Sequence, residues 1–369
     1  MKFTKFFAFA LTALAIVGCE PISDTNDPDN KPSDGSTATG AELTANNVSV
    51  EVNTPITFTV TANDGSDITD KSTIYDKTHD FVEVDNPFTP TEDGIYEFYA
   101  VSGNIITSSI TVSVVPTIPD VPADSDKANT SFNHRILMVD HTGTGCSWCP
   151  EMMKALKEIE ESDYHAKYHE AMAHSYGAGD PAASSAAYAV SGYYNINNYP
   201  SLTYNFLHSF VSGHTGGADA IKAQIDALWK ADGADVGIAA ATSLAKASMI
   251  VNVEVKAAVA HDYRITSWLL EDSIEAKQMN STEDWMNIHN NAIRQASTMD
   301  PISGHDLGTI EAGKTATLTM SLEIPTASWV RDNLKVLIIV SAKNENGKYE
   351  VANVAVCPAN GSISYDYKK

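Results

Sequence analysis

Short runs in which apolar and polar residues alternate extend from Asn47 to Val115. In "ITFTVTA" (56–62) and "ITVSVV" (110–115), Ile, Phe and Val fall on one face and Thr or Ser on the other. This two-residue period is typical of half-buried β-strands. The pattern predicts an immunoglobulin-like β-sandwich over residues 42–116. The proline-rich stretch that follows predicts a stiff, solvated linker over residues 117–130.

Strands and helices alternate in the next hundred residues. The apolar run from Ile136 to Val139 is typical of a buried strand, and the segment after Pro150 has apolar residues at helical spacing. Pro150 is tolerated there because the first turn of a helix does not use its N–H. Asp180 and Pro181 have the residue types that cap and open a helix, here an alanine-rich one. The layout predicts an α/β domain over residues 131–232.

From residue 233 the chain returns to β-like runs, which predict a C-terminal β-sandwich over residues 233–369. A segment from Ala276 to Pro301 interrupts these runs and is predicted to be a long insertion. Cys357 follows the apolar run "YEVANVAVC", so a buried core thiol is predicted there. The fold class predicted for the whole chain is multidomain α+β.

The N-terminus has the pattern of an export signal. Lys2 and Lys5 precede an apolar run, Phe6 to Val17, that is too short to span a bilayer. The run ends in "IVGC", which resembles a bacterial lipobox and implies a signal peptide over residues 1–18 and an acylated (palmitate-bearing) Cys19. An ordinary secretory signal that leaves Cys19 as a free thiol is the alternative. Residues 19–41 are acidic and poor in apolar residues, which predicts a flexible tether.

The charge of the chain excludes one class of partner. The formal net charge is −23, and residues 20–130 hold 20 Asp or Glu against four Lys. Because nucleic-acid binding depends on neutralising phosphates with Lys and Arg, a nucleic-acid partner is not expected.

The segment "TGTGCSWCPEMMKAL" (142–156) contains two cysteines spaced Cys-x-x-Cys, which allow three roles. A structural disulfide between Cys146 and Cys149 would close a loop of only four residues and contribute about 2 kcal/mol in the chain-entropy model. A zinc site would need further ligands, for which His165 and His169 on one helical face are the candidates. A redox dithiol would need no other cofactor. With Cys146 exposed at a helix N-terminus, its thiolate is favoured, and Cys149 one turn inside can resolve a mixed disulfide.

The same residues resemble the active-site segment of thioredoxins. "ILMVDHTGTGCSWCP" has an apolar strand, an acid six residues before the first cysteine, the Cys-x-x-Cys pair and a helix. The resemblance implies that Asp140 assists proton transfer at Cys149, and that "NNYPSLTYN" supplies a cis-proline, Pro200. Tyr199, Pro200 and Trp148 are then the substrate-binding residues, with the backbone of Tyr199 pairing with a substrate chain.

A narrower resemblance is carried by "HTGTGCSWCP", "GDPAASSAAYAVSGYYNINNYPSL", "WLLEDSI" and "HNNAIRQAS". These segments, within residues 130–369, are similar to the twenty-eight-kilodalton outer-membrane protein related lipoproteins of Bacteroidetes. The resemblance implies a cell-envelope protein, lipid-anchored in the outer membrane through Cys19. Thiol–disulfide exchange on extracytoplasmic protein thiols and disulfides is the predicted function. The alternative is a surface binding or adhesion lipoprotein that uses the thioredoxin-like domain as a scaffold.

Overall fold

The computed structural model describes residues 39–325 and 329–369. The predicted signal peptide, the acylated Cys19 and nearly all of the tether lie outside the described residues. The described part is mostly β-structure arranged in several sheets, with three α-helices among the described residues. None of these helices is long and apolar enough to cross a membrane.

The first part of the chain is built from two facing sheets. β1 pairs with β3, and the second sheet has the order β2-β8-β6-β4-β5, with β7 on β6. The alternating pattern explains the core between them, because Phe58 and Val60 point inward from one sheet and Phe98 and Val112 from the other. The strands are β1 (Ala41–Ala45), β2 (Ser49–Glu51), β3 (Phe58–Ala62), β4 (Thr73–Asp76), β5 (Val82–Val84), β6 (Gly94–Ser102), β7 (Ile105–Ile106) and β8 (Ile110–Val115).

The predicted linker has no buried residue, but it also contacts the C-terminal region. Lys256, on a strand of the C-terminal region, has a side chain only 2% exposed, and its ammonium group lies 2.8 Å from Asp124. It also donates to the backbone carbonyls of Asp126 and Lys127 and to the hydroxyl of Tyr367. A buried ammonium needs such acceptors, and the linker provides three of them. The linker is therefore docked on the C-terminal region.

We expect Lys256→Met to lower the free energy of unfolding by about 3 kcal/mol, because it leaves Asp124 without its charge partner in a largely buried position. Urea unfolding measures the loss, and limited proteolysis should cut residues 117–130 faster than in the wild type. Lys230→Met is the matched control. Lys230 pairs with Asp235 at 2.7 Å but is half exposed, so its loss should cost less than about 1 kcal/mol. Equal losses of unfolding free energy in the two variants would contradict the docking of the linker through Lys256.

The middle of the chain supplies the strands and helices that hold the two cysteines. They are β9 (Ile136–Thr142), α1 (Cys149–Glu160), β10 (Tyr168–His174), α2 (Ser185–Tyr193), β11 (Ser201–Tyr204), β12 (Leu207–Gly213) and α3 (Gly217–Leu228). β9 runs parallel to β10 and antiparallel to β11, which is antiparallel to β12. Alternate residues of β9 face opposite ways: Ile136 and Met138 pack with α1 and α3, and Leu137 and Val139 pack with α2.

The strands of the C-terminal region extend this sheet and add a second one. Nine strands form one sheet in the order β12-β11-β9-β10-β18-β15-β21-β22, with β19 on β15, and a further sheet has the order β20-β14-β13-β23. One sheet thus crosses the predicted boundary at residue 232, and the division into domains stays a prediction. The strands are β13 (Val236–Leu244), β14 (Ser248–Ala257), β15 (His261–Glu271), β16 (Ile274–Glu275), β17 (Ile288–His289), β18 (Ala292–Ala296), β19 (His305–Ile310), β20 (Thr315–Glu323), β21 (Leu334–Lys343), β22 (Tyr349–Pro358) and β23 (Ser362–Ile363).

The structure of this region tests two predictions made from the sequence. Cys357 is fully buried as a free thiol in the apolar core between the two sheets, and burial raises its pKa to about 11. Its prediction as a core thiol is confirmed. The predicted insertion between 276 and 301 is not separate from the sheet, because β18 lies within it and pairs with β10 and β15.

Candidate functional site

Cys146 and Cys149 form a disulfide at the end of β9. α1 begins at Cys149, with Trp148 as its N-cap and Pro150 in the first turn. The prediction that Cys146 itself opens the helix is therefore wrong, although the disulfide keeps its sulfur beside the first turn. Cys146 is 2% exposed and Cys149 is fully buried. The prediction of an exposed Cys146 is also wrong for this disulfide form.

The loop that carries Cys146 is held by residues far away in the sequence, which explains its burial. The N–H of Met279 donates to the carbonyl of Thr144 at 2.7 Å. The side-chain amide of Gln278 donates to the carbonyl of Cys146 at 2.9 Å, and that of Asn280 to the carbonyl of Ser147 at 3.2 Å. We call residues 278–280 the clamp segment. It belongs to the region predicted to be an insertion.

A buried carboxylate holds the same loop from another segment. Asp180 accepts from the N–H of Thr144 at 2.7 Å and from Nδ1 of His174 at 2.9 Å. Burial alone would raise the pKa of Asp180, but these hydrogen bonds and the His174 ring lower it to about 2. Asp180 does not cap a helix as predicted. Its Oδ1 accepts from the N–H of Ala182 within a turn, and α2 begins later, with Ser184 as its N-cap.

Close packing in the loop requires a small residue at position 143. A Cβ added to Gly143 would lie 2.8 Å from the carbonyl oxygen of Tyr176 and 3.3 Å from the Asp180 carboxylate. Contacts under 3 Å to a backbone atom force the chain apart. Glycine at this position therefore allows the loop to rest on residues 174–180.

Aromatic side chains surround the loop on the outside. Trp148 is 62% exposed and stacks on His214 with ring centroids 5.5 Å apart. Tyr176, also exposed, lies edge-on to Tyr199 at 5.2 Å. The Tyr199–Pro200 peptide bond is cis, as the thioredoxin resemblance implied. The predicted substrate-binding residues Trp148 and Tyr199 are thus accompanied by Tyr176 and His214, which the sequence analysis did not identify.

Asp140 lies beneath α1, on the same face of β9 as Met138. It is 1% exposed, and its Oδ1 has no hydrogen-bond partner among the described residues. Burial, with the nearby charge of Glu170, raises the pKa of Asp140 well above its usual range. Burial also raises the pKa of Glu170, on β10, to about 7. The site therefore contains two carboxyl groups that hold protons unusually tightly.

The two histidines considered as zinc ligands do not share a helical face. His165 lies in a 3₁₀ helix, Asp163–Lys167, and its Nδ1 contacts the carbonyl of Ser162 at 2.6 Å. His169 lies on β10. The predicted helical spacing fails because the chain enters β10 at Tyr168.

We expect Gln278→Leu to speed reduction of the disulfide by dithiothreitol about tenfold. The substitution leaves the Cys146 carbonyl without its donor, and losing a buried partner costs about 1 to 3 kcal/mol, so the loop should open more often. The rate is measured by alkylation of the released thiols. Asn280→Gly is the control: it removes an exposed contact to the neighbouring carbonyl at a position with φ of 58° that glycine adopts readily, and it should change the rate less than about threefold. An unchanged rate in Gln278→Leu would mean that the clamp segment does not limit access.

Comparisons with known proteins relate the C-terminal part of the chain to the bacterial envelope. Residues 187–359 match the model of the family described as "Outer membrane protein Omp28". The match covers less than half of the chain and begins after Cys149, so the resemblance described within residues 130–369 is supported over residues 187–359. A comparison with curated protein sequences gave no match.

Among solved structures, HBP35 of Porphyromonas gingivalis has a TM-score of 0.51 and 15% sequence identity, covering 63% of this chain and 77% of that one. At this identity the likeness concerns the fold alone. A putative membrane-anchored protein from Corynebacterium diphtheriae covers 90% of this chain and 62% of that one, at 10% identity and a TM-score of 0.21. That value is too low to support any argument. The family match alone relates residues 187–359 to outer-membrane proteins and suggests an envelope protein.

Proposed function

We propose that this chain is an envelope protein that carries out thiol–disulfide exchange through Cys146 and Cys149. The observation that carries the proposal is a disulfide joining the loop after the buried strand β9 to the first residue of α1, with the buried acid Asp140 on that strand. A pair that closes so short a loop adds little to stability. Its placement is therefore better explained by reversible chemistry than by support of the fold.

The surroundings of the disulfide agree with a thioredoxin-like arrangement. β9 and β10 are parallel, β11 and β12 are antiparallel additions, α1 and α3 cover one face, and α2 covers the other. The two facing sheets of residues 41–115 likewise agree with the immunoglobulin-like sandwich. The thioredoxin-like arrangement around the disulfide supports the assignment of Cys146 as nucleophile, Cys149 as resolving thiol and Asp140 as proton acceptor.

The exchange reaction balances without a further cofactor. In the reducing direction, the Cys146 thiolate attacks a substrate disulfide, forming a mixed disulfide and releasing one substrate thiolate. Cys149 then loses its proton and attacks the sulfur of Cys146, which restores the Cys146–Cys149 bond and releases the second thiol. Two electrons pass from the dithiol to the substrate. In the oxidising direction, the Cys146–Cys149 disulfide reacts through the same steps in reverse, and a substrate dithiol is the electron donor.

The burial of Cys146 adds a requirement to this reaction. A substrate sulfur has to approach Cys146 in line with the disulfide, so the loop has to open or the clamp segment has to shift first. The exposed rings of Trp148 and Tyr176 offer apolar contacts to an arriving polypeptide. Backbone groups of Tyr199 beside Pro200 would pair with that polypeptide.

The proposed location is the outer membrane. The Omp28 match supports an envelope protein, and the lipobox-like sequence supports an anchor at Cys19. The partners would then be extracytoplasmic proteins with thiols or disulfides. The acidic first part of the chain suits an exposed, well-solvated stalk.

A second candidate function is favoured by one observation. Because Cys146 is 2% exposed, the disulfide could serve to fix the loop, while Trp148, Tyr176 and other exposed side chains bind a surface partner. In that case the protein is a binding or adhesion lipoprotein built on the same fold.

Reduction of insulin by the purified full chain with a dithiol reductant tests the proposal. The wild type should accelerate the reaction, and Cys146→Ser should abolish the acceleration. Cys357→Ala is the matched control, because Cys357 is buried far along the sequence and should not affect the rate. A wild type no faster than Cys146→Ser, with surface binding intact in both, would favour the adhesion function instead.

A further inference from the structure

A cavity of about 600 Å³ opens between α1 and the segment around β17. Its wall includes apolar residues of α1 and β10, Trp285, and three carboxylates, Glu160, Glu161 and Glu170. Glu170 is the only one of the three that lies on a strand of the central sheet. The cavity therefore connects solvent with the layer of side chains beneath α1.

Glu170 and Asp140 lie on the same face of two adjacent parallel strands. In the register, Asp140 is opposite Met172 and Glu170 is opposite Met138. The two acids are thus diagonal neighbours, with Cα atoms about 8 Å apart from the ordinary strand spacing and rise. Both side chains face α1, as Met138 and Tyr168 do.

The two oxygens of Glu170 are in different environments. Oε1 is buried and has no hydrogen-bond partner among the described residues. The other oxygen, Oε2, lies 3.3 Å from the side-chain amide of Asn291, which also lines the cavity. The carboxyl group of Glu170 thus extends from the interior, where Oδ1 of Asp140 is also unpartnered, to the wall of the cavity.

We propose that Glu170 is the group through which Asp140 exchanges protons with solvent. This inference rests on the proposed function. When the Cys149 thiol attacks the mixed disulfide at Cys146, its proton passes to the Asp140 carboxylate, the new S–S bond forms, and the substrate thiolate leaves. Because the two carboxyl groups share no hydrogen bond, the proton then passes from Asp140 to the Glu170 carboxylate through a water molecule admitted by the cavity, and it leaves to solvent, which restores Asp140.

Other ionisable groups near the pair set its proton affinity. Burial is the first cause of the raised pKa of Glu170, the charge of Glu160 adds to it, and Asn291 and Lys335 act in the opposite direction. The groups that face the pair or line the cavity are Lys157 and Glu160 on α1, Glu161 at its C-cap, Tyr168 on β10, Tyr204 on β11 and Lys335 on β21. A pKa of about 7 lets Glu170 accept and release a proton near neutral pH.

The experiment follows oxidation of the reduced full chain by oxidised glutathione between pH 5 and 9. In the wild type, the rate of closing the Cys146–Cys149 bond should rise through about pH 7 as Glu170 ionises. Glu170→Gln should slow closure about tenfold above pH 7, at the low end of what proton transfer contributes, and should remove that rise. Glu161→Gln, which changes an exposed acid on the same cavity, should stay within twofold.

A carboxyl titration of Asp140, by ¹³C NMR of the folded chain, provides a readout independent of rate. Glu170→Gln should lower the pKa of Asp140, because it removes the negative neighbour that raises it. Asn291→Gly removes the amide donor at a position with φ of 54° that glycine adopts readily. Asn291→Gly should move the rise in the rate of closure to a higher pH. This test remains available if Glu170→Gln fails to fold.

The inference would be overturned if Glu170→Gln and Asn291→Gly closed the disulfide within twofold of the wild-type rate and left the pH dependence of that rate unchanged. Because oxidised glutathione is the only substrate in this assay, the result does not depend on protein substrates. If the chain fails to reduce insulin but closure still depends on Glu170, the proposed function fails and the proton route stands.

Discussion

In cells that produce the Cys149→Ser variant, we expect Cys146 to accumulate in mixed disulfides with other envelope proteins. Without the resolving thiol, the intermediate formed by Cys146 cannot close the intramolecular bond, and it persists until an outside thiol attacks it. Non-reducing electrophoresis followed by mass spectrometry measures the trapped species. The wild type, whose Cys149 lies within bonding distance of Cys146, should show almost none.

Matched variants separate this chemistry from nonspecific oxidation. Cys146→Ser with Cys149 intact should trap far less, because Cys149 is fixed in the first turn of α1, whereas Cys146 lies in a loop that the clamp segment can release. Adding Gln278→Leu to Cys149→Ser should increase the trapped fraction, since the clamp segment contacts the loop at Cys146. Equal trapping through either cysteine would contradict the assignment of Cys146 as nucleophile.

The second large effect concerns stability. At pH 8 we expect Asp140→Asn to raise the free energy of unfolding by about 3 kcal/mol, the order of the cost of keeping one unpaired carboxyl inside a protein. Asp140 is 1% exposed and its folded-state pKa is raised above the unfolded value by burial. The folded chain therefore holds the proton more tightly, and its stability falls as the pH rises from the unfolded pKa toward the folded one.

Because the folded-state pKa of Asp140 is raised, the stability gained in Asp140→Asn depends on pH in one direction. Well below pH 4, Asp140 is protonated in both states, so the advantage of Asn should vanish there; it should be small at pH 4 and grow as the pH rises above that value. Urea unfolding at pH 4, 6 and 8 measures it. Asp219→Asn, at an exposed position on α3, should show little effect at any of these values. An Asp140→Asn variant that is less stable than the wild type at pH 8 would contradict the buried, unpaired state of this acid.

The same variant links stability to function. Asn cannot accept the Cys149 proton, so Asp140→Asn should be more stable and slower in exchange. A residue whose removal stabilises the fold while impairing the reaction is typical of an active site.

Local sequence patterns predicted the elements that hold the dithiol. Ile136 to Val139 are a continuous apolar run and form the buried β9, and Met152, Leu156 and Ile159 at helical spacing pack α1 on it. The alternation in "ITFTVTA" likewise gives β3, whose Phe58, Val60 and Ala62 are buried. In each case the pattern lies within one strand or helix, so that element could be predicted from its own residues.

Contacts between distant segments could not be predicted in this way. Gln278 is polar and lies more than a hundred residues from Cys146, and nothing in its surroundings indicates that its amide reaches that carbonyl. The burial of Cys146 depends on such contacts, so exposure was predicted wrongly. Lys256 and Asp124 are a similar case, since two charges far apart in sequence gave no sign that they meet and dock the linker.

The equilibrium between the full chain and glutathione or dithiothreitol redox buffers tests most directly whether Cys146 and Cys149 are an exchangeable pair. The thiol fraction is measured by the mass added on alkylation. We predict that the folded chain is reduced and reoxidised reversibly, with a reduction potential above about −300 mV, in the range of disulfides that take part in exchange. A bond that stays oxidised below that potential until the chain unfolds would be a structural staple and would contradict the account.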